Sequence, residues 1–342
     1  MAAPATKLSV LDLSPVTGDA TQAQAVRETL DVARAAERLG YHRFWVAEHH
    51  NIAGLGSPNP EILIAALTQV TSTIRLGSGG VMLVNYSPLK VAETFMELEA
   101  LAPGRIDLGL GRALGADART GGALRSVGSD AFPQYFQLLS AWLLDAGGKV
   151  PIPQGHPIHD IKANPSGPSH PDVFLLCTSE ESAAFAGVMG VGLVFAEFIA
   201  RREATSSIAA YREAFRPSAF RSEPWAGTAV VAYAAETQEA GWRGDALRRA
   251  STVSMLSGRR RRFGDVDEAE AFLRERKDTP LLADVESRSI AGDAAGVHAQ
   301  LRAKAGRAGA DEVFVMATGP SLADRITSLE LIAAQHAAQA AA

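Results

Sequence analysis

Short apolar runs alternate with stretches of helical spacing along most of the 342-residue chain. The runs at 8–13, 44–47, 106–111, 173–178, 192–198, 228–235 and 313–318 have the length and bounds of buried strands, and 74–84 is a longer run broken by glycine. Between the first two, Val26, Leu30, Ala33 and Leu39 recur at near-helical spacing, with Asp19 or Thr21 as cap and Gly40 as stop. Pro60 and Pro88 open helices over 61–71 and 89–101, and further helices are predicted over 135–145, 179–189, 206–215, 293–307 and 321–341. Eight strands alternating with helices predict an α/β fold, a (β/α)8 TIM barrel. A doubly wound open sheet is the alternative, since strand order is not written in the sequence. No repeat or linker divides the chain, so one domain over 1–342 is expected, with insertions at about 113–171 and 236–288 on the rim at the strands' carboxyl ends. The second carries helical pieces around 246–257 and 266–277.

The stretch 74–112 organises the rest. It predicts strand, crossover helix and parallel strand. Gly77, Gly79 and Gly80 interrupt the first strand, and Gly109 and Gly111 the second, which ends on Arg112. Glycine within a strand marks a bend or a close approach to the backbone, so these strand ends are expected to floor a ligand site. In a parallel barrel all carboxyl ends share one mouth. Glu48-His49-His50, Ser78, Arg112, Thr178-Ser179 and Thr318 would therefore converge there.

Composition narrows the setting. With 47% hydrophobic and 21% charged residues the chain can bury a large core. A net charge of −5 gives no electrostatic case for nucleic acid or a membrane surface. One cysteine, Cys177, excludes an intrachain disulfide, and 1–6 holds no apolar signal core, so a cytoplasmic protein is expected. Cys177 itself reads as a small buried hydrophobe.

Several polar groups invite chemistry. Arg112 offers a fork of donors suited to phosphate, and the glycines before it clear space; a surface ion pair is the alternative. Thr178, Ser179 and Ser182 stand where a strand meets a helix, and on spacing alone they read as an N-cap, with an anion site as the other possibility. His49 and His50 could be metal ligands, an acid/base pair or structural donors. Adjacent histidines on a strand end point apart, which disfavours a metal; no metal is expected. His156, His159 and His170 lie in a proline-rich loop and read as solvated. The run 259–262 is followed at once by acidic residues and reads as a solvated face.

Four segments carry a resemblance. They are Ala47-Glu48-His49-His50-Asn51, Leu76-Gly77-Ser78-Gly79-Gly80-Val81-Met82-Leu83, Pro88-Leu89-Lys90-Val91-Ala92-Glu93 and Pro103-Gly104-Arg105-Ile106-Asp107-Leu108-Gly109-Leu110-Gly111-Arg112. Together they resemble the bacterial luciferase-like family of flavin-dependent monooxygenases, and within it the FMN-type branch more than the deazaflavin-dependent reductases. The resemblance implies flavin at the carboxyl mouth of a (β/α)8 barrel, a homodimer, and reduced FMN delivered by a separate flavin reductase. Dioxygen would add to that flavin, and the flavin hydroperoxide would oxidise a small organic substrate. It further implies that Ser78–Gly79 is a non-prolyl cis peptide beneath the flavin ring, with Gly111 alongside. Arg112, Thr178, Ser179 and Ser182 would contact the phosphate, which replaces the cap reading of Ser179. His49 would stand beside the reacting face. This phosphate position departs from the general barrel rule, which places it after strands seven and eight. Two segments depart from the family: Val84-Asn85-Tyr86 stands where proline is usual, and 236–288 is arginine-rich and unlike the family's lid. Both bear on the substrate. The rival functions are a deazaflavin-dependent oxidoreductase on the same barrel and a non-catalytic flavin-binding protein.

Overall fold

The computed structural model describes residues 6–259 and 261–340. Ten strands are present: β1 Lys7–Asp12, β2 Arg43–Val46, β3 Arg75–Ser78, β4 Val81–Met82, β5 Ile106–Gly111, β6 Asp172–Cys177, β7 Gly192–Ala196, β8 Ala226–Ala235, β9 Ile290–Asp293 and β10 Glu312–Ala317. All pair in parallel, in the order β10-β1-β2-β3-β5-β6-β7-β8. β10 also pairs with β8, from Glu312 opposite Gly227 to Ala317 opposite Ala232, and this closes the sheet. The fold is the expected (β/α)8 barrel rather than an open sheet.

Three features depart from expectation. The run 74–84 is two strands on one stave, β3 and β4, joined by a non-prolyl cis peptide between Gly79 and Gly80. That bond lies one residue beyond the expected Ser78–Gly79. Ser78 is still in strand register with Val46, and the chain turns only where two residues in succession lack a Cβ. Second, β9 was not anticipated. It is four residues long and ends on Asp293, whose side chain accepts from Gly296 N (2.7 Å) and caps the helix Ala294–Ala308. Third, 236–288 is an ordered helical excursion: Gln238–Gly244, Ala246–Leu256, Val266–Arg274 and Pro280–Ser287 enclose a small core that includes Val253, Phe263, Phe272 and Val285. Within the run 259–262, Arg260 lies outside the described residues; Arg261 pairs with Glu268 and Arg262 donates to Gly18 O. The closing helix is Leu322–Ala340, and the expected terminus at 341, like the reading of 1–5, lies outside the described residues. The first helix, Gln22–Arg38, is capped by Thr21 rather than Asp19. Among the described residues no helix is long and apolar enough to cross a membrane.

The barrel interior is a packed layer of Leu11, Trp45, Phe174, Val194, Ala229 and Phe314, separate from the larger core between strands and helices. The Trp45 ring lies 5.1 Å from that of Phe174 and 4.5 Å from that of Phe314. The strand glycines serve this packing. A Cβ on Gly77 would sit 2.6 Å from Trp45 Nε1 and 2.7 Å from Asp107 Cβ, and one on Gly109 would strike the Ser78 carbonyl. These glycines make room for the barrel's own side chains and backbone.

At the amino-terminal end the interior is closed by buried charges. Arg43 Nη1 donates to Asp107 Oδ2 (2.6 Å), Arg75 Nη2 to Asp107 Oδ1 (2.5 Å) and Trp45 Nε1 to Asp107 Oδ2 (2.9 Å). Glu312 accepts from His42 Nδ1 (3.0 Å), Arg43 and Ser9. Burial pushes the Asp107 carboxyl up, but the charges and hydrogen bonds of Arg43 and Arg75 outweigh it and hold it below the usual carboxylate range. Burial likewise opposes His42 and Arg43 at Glu312, and the net direction is again down. Depressed folded-state values mean that this stabilisation is complete above the unfolded carboxylate value near 4 and is lost as pH falls through the lower folded values. Asp107→Asn leaves Arg43 buried with one formal charge fewer opposite it, and is expected to lower unfolding free energy at neutral pH by about 3–5 kcal/mol. Below pH ~4 its stability should decline less steeply than that of the unaltered chain. Urea unfolding at the two pH values checks this, and equal stability at neutral pH would show that the cluster does not hold the barrel together.

Candidate active site

The mouth is built from segments that follow the strands. β2 ends at Val46, and Trp45 and Ala47 face the interior core; His49 continues that alternation, which directs it to the mouth. Its Nδ1 is buried and has no hydrogen-bond partner. Burial first, and then the neighbouring His50, hold the imidazole below its ordinary value, so it is neutral at neutral pH.

Glu48 points the other way and is fully buried. Its Oε1 accepts from His50 Nε2 (2.9 Å), Asn85 Nδ2 (2.9 Å) and Tyr86 Oη (3.1 Å), and its Oε2 from Met82 N (2.8 Å). Both carboxylate oxygens are thus tied to the segment that follows the cis bond. Burial and then the Glu48 charge push the Tyr86 phenol well above its usual range. His50 N also donates to Gly115 O (3.1 Å), which joins the end of β2 to the loop after β5. Asn85 and Tyr86, which depart from the family pattern, are therefore partners of Glu48. The role of Glu48 as a clamp is not legible in the sequence, where it stands between Ala47 and His49 as one of a polar cluster.

The remaining expected residues divide into two groups. Ser78 is buried, and its Oγ donates to Gly109 O (2.8 Å) and accepts from Gly109 N (3.1 Å), so its side chain ties β3 to β5. A Cβ on Gly79 would sit 2.6 Å from Leu11 Cδ1, and one on Gly111 2.5 Å from Met82 Sδ. These three residues belong to the barrel wall. Arg112, Ser182 and Cys177, by contrast, line one small cavity of about 240 Å³ together with Glu181 and Phe185. Arg112 is half exposed, and its Nη1 is 3.7 Å from Glu181 Oε1, a loose and solvated contact. Ser179 caps the helix Glu180–Val188: its Oγ accepts from Ser182 N (3.2 Å), and Ser179 N donates back to Ser182 Oγ (3.3 Å). The cap reading thus holds in this structure. Thr178 is exposed, and its carbonyl accepts from Arg202 Nη2 (3.4 Å). Glu180, in the first turn, is drawn aside by Arg202 (3.1 Å) and Ser206 (2.6 Å), which leaves Arg112, the exposed Glu181 and two hydroxyls about the helix start. Cys177 is buried in the strand, with its thiol pushed up to about 12 by burial, and is not a reactive group.

The donor set fits a flavin mononucleotide. A cation beside a helix start suits a phosphate. Across the mouth, the unpartnered His49 Nδ1 at the end of β2 is joined by Thr318 Oγ1 after β10, also buried and unpartnered. Buried polar groups without partners are uncommon, and two at one barrel mouth suit a polar ring system. Among the described residues no group of three or more His, Cys, Asp or Glu could hold a metal ion.

Comparison with known proteins places this geometry. The family model for luciferase-like monooxygenases matches residues 6–312. The N-acetyl-S-alkylcysteine monooxygenase of Bacillus subtilis (strain 168) is 37% identical over 268 residues, 78% of this chain and 79% of that protein. The crystal structure of apo-MsnO8 is 36% identical, with a TM-score of 0.88 over 97% of this chain and 98% of that one. The oxygenating constituent of 3,6-diketocamphane monooxygenase from the CAM plasmid of Pseudomonas putida, in complex with FMN, is 16% identical with a TM-score of 0.73 over 98% of each chain, a likeness of fold. The chain belongs to the luciferase-like monooxygenase family and is an oxidoreductase.

Proposed function

We propose that the protein is a monooxygenase that uses reduced FMN and dioxygen to oxidise a small organic substrate, with reduced FMN supplied by a separate reductase. The unpartnered, buried Nδ1 of a neutral His49 at the mouth of a barrel of this family carries the reading. Reduced FMN, when bound, supplies the electrons that activate dioxygen for transfer of one oxygen atom. The protein's share is to bind, orient, exclude water and move protons.

In this proposal Arg112, Thr178, Ser179 and Ser182 hold the phosphate, and the backbone of Ser78, Gly79 and Gly111 lies along the wall beneath the ring. The Ser179–Ser182 box is compatible with that role for Ser179, whose hydroxyl accepts from Ser182 N and can donate to a phosphate oxygen, whereas Ser182 Oγ donates to Ser179 O (3.0 Å) and would turn to do so. His49 exchanges a proton at Nδ1 while it is neutral, which burial ensures around pH 7. Glu48 fixes the segments on either side of it. The Bacillus relative named for N-acetyl-S-alkylcysteine supports a small organic substrate and the FMN complex of the camphane enzyme supports the cofactor, in both cases by likeness. No helix opens with a Gly-x-Gly-x-x-Gly turn after β1, so no nicotinamide site is proposed and reduction is assigned to a partner.

Two variants test the assignment. Arg112→Ala is expected to weaken FMN binding by about tenfold or more while leaving riboflavin, which lacks the phosphate, unchanged. Fluorescence titration with both ligands measures this, and parallel losses would mean that Arg112 only supports the rim. His49→Asn should keep its melting temperature and FMN affinity but lose product per reduced flavin by ~10²-fold, with hydrogen peroxide released instead. Full coupled turnover, or joint loss of stability and flavin affinity, would make His49 structural. Titration of the unaltered protein with FMN and deazaflavin, followed by oxygen uptake, decides the cofactor: tight deazaflavin binding without uptake would overturn the proposal.

A further inference from the structure

The barrel wall has an opening. β7 pairs with β8 as far as Ala229, and β9 takes up that side only at Ala232, so Val230 and Val231 have β10 on one side and no strand on the other. A cavity of about 700 Å³ occupies this slot, bounded by the segment after β7, the helices Ala246–Leu256 and Pro280–Ser287, and β10. That volume is in the usual range for a site that buries a small organic molecule. Val231 and Met316 lie two residues beyond Ala229 and Phe314, which face the barrel interior, so the slot continues into the mouth.

One side of the slot is apolar: Phe198, Val231, Met255, Leu256 and Met316. Met255 and Leu256 are 49% and 37% exposed, large apolar side chains left facing solvent by an otherwise well-packed excursion. The other side carries arginines and a lysine, each already held by a carboxylate of this chain. Arg201 and Arg288 share Asp284, Arg202 pairs with Glu180 (3.1 Å), Arg248 with Asp245 (2.6 Å) and Lys304 with Glu197 (2.6 Å). The lining carboxylates are satisfied as well: Glu197 also accepts from Ala204 N (3.0 Å), and Glu203 from Arg307 (2.7 Å). Every cation that lines the slot among the described residues thus has a carboxylate of this chain against it. An organic anion entering here would give up its hydration for a guanidinium already paired, or displace that carboxylate, and both cost free energy. A neutral apolar body displaces only water from apolar walls.

We infer that this slot is the substrate compartment and that it selects neutral, largely apolar organic molecules over organic anions of the same size. The word substrate rests on the oxygenase proposal; the binding selectivity does not. The test is calorimetric titration of flavin-free and FMN-loaded protein with octyl methyl ketone and with decanoate. The ketone is expected to bind about tenfold or more tightly than decanoate in both preparations. Leu256→Glu, at a position exposed enough not to endanger folding, and Val231→Asp should each weaken the ketone about tenfold or more, with melting temperature and FMN titration of Leu256→Glu unchanged. Equal or stronger binding of decanoate, absence of ketone binding in both preparations, or unchanged ketone affinity in Leu256→Glu overturns the inference. The two readings fail separately. Selective ketone binding without FMN binding would remove the oxygenase proposal and leave the slot, whereas FMN binding without selectivity would remove only the slot.

Discussion

The barrel depends on how Trp45 and Asp107 share its centre. An indole is too large for the axis of a small barrel unless the facing strands surrender side chains, and Gly77 on β3 does so: a Cβ there would sit 2.6 Å from the indole nitrogen. That nitrogen, buried, needs an acceptor and finds Asp107 Oδ2. A carboxylate with no exposure then needs cations, which Arg43 and Arg75 supply from the two strands preceding β5. Each requirement follows from the one before. The result pins β2, β3 and β5 in one register at the amino-terminal end, and Arg43 extends it to Glu312 on β10, the strand that closes the barrel. A one-residue slip of any of these strands would turn the charged residue to the other face and leave its partners buried alone.

Such a fixed end lets the opposite end be open. Glu48 is the mouth's counterpart to Asp107: buried, with both oxygens occupied, but by neutral or titratable donors from loops rather than by arginines from strands. A carboxylate solvated by Tyr86, Asn85, His50 and a backbone N–H can hold irregular chain in place without fixing strand geometry. This is what the broken stave between β3 and β4 requires. It also leaves His49, one residue on, unpartnered and facing inward, because its neighbours on both sides are already anchored.

Much of this was legible in the sequence, and the exceptions have physical causes. The strands were legible because a parallel barrel buries them on both faces, which leaves continuous apolar runs. β9 was not, since it is four residues long and borders Asp293, whose helix-starting signal dominates the local pattern. The strand glycines were legible as close approaches, but not what approaches: a sequence cannot distinguish room made for a ligand from room made for Trp45. Ser78 shows the same limit, since a hydroxyl in a glycine-rich strand reads as a ligand contact and is instead a tie to Gly109. The caps at Ser179 and Thr21 were readable from spacing because capping is local. Glu48 was not, because its partners at 82, 85 and 86 become neighbours only after the chain has passed through β3 and its cis bond.

The arginine-rich excursion is explained by its ion pairs. Read along the chain, it is only unlike the family's lid, with the run 259–262 as a solvated face. In space its arginines meet the excursion's own carboxylates: Arg288 shares Asp284 with Arg201 from the segment after β7, while Arg249, stacked 4.1 Å from the Trp242 ring, takes Glu286 (2.7 Å). The excursion packs around its own small core and meets the barrel through the helix Gln238–Gly244, whose Gly241 and Gly244 lie against Gly292 and Tyr233, and through polar contacts such as Arg262 to the Gly18 carbonyl. Exposed pairs contribute little stability each. The apolar surface that the excursion does not use against the barrel, at Met255 and Leu256, is left over the slot beside β8. Arg112, a loosely held cation, lies beside the helix start after β6, and Arg202 of the slot reaches the same helix through Glu180 (3.1 Å). In the proposals above an anionic tail is held at Arg112 and a neutral body in the slot, with Arg202, already paired, between them.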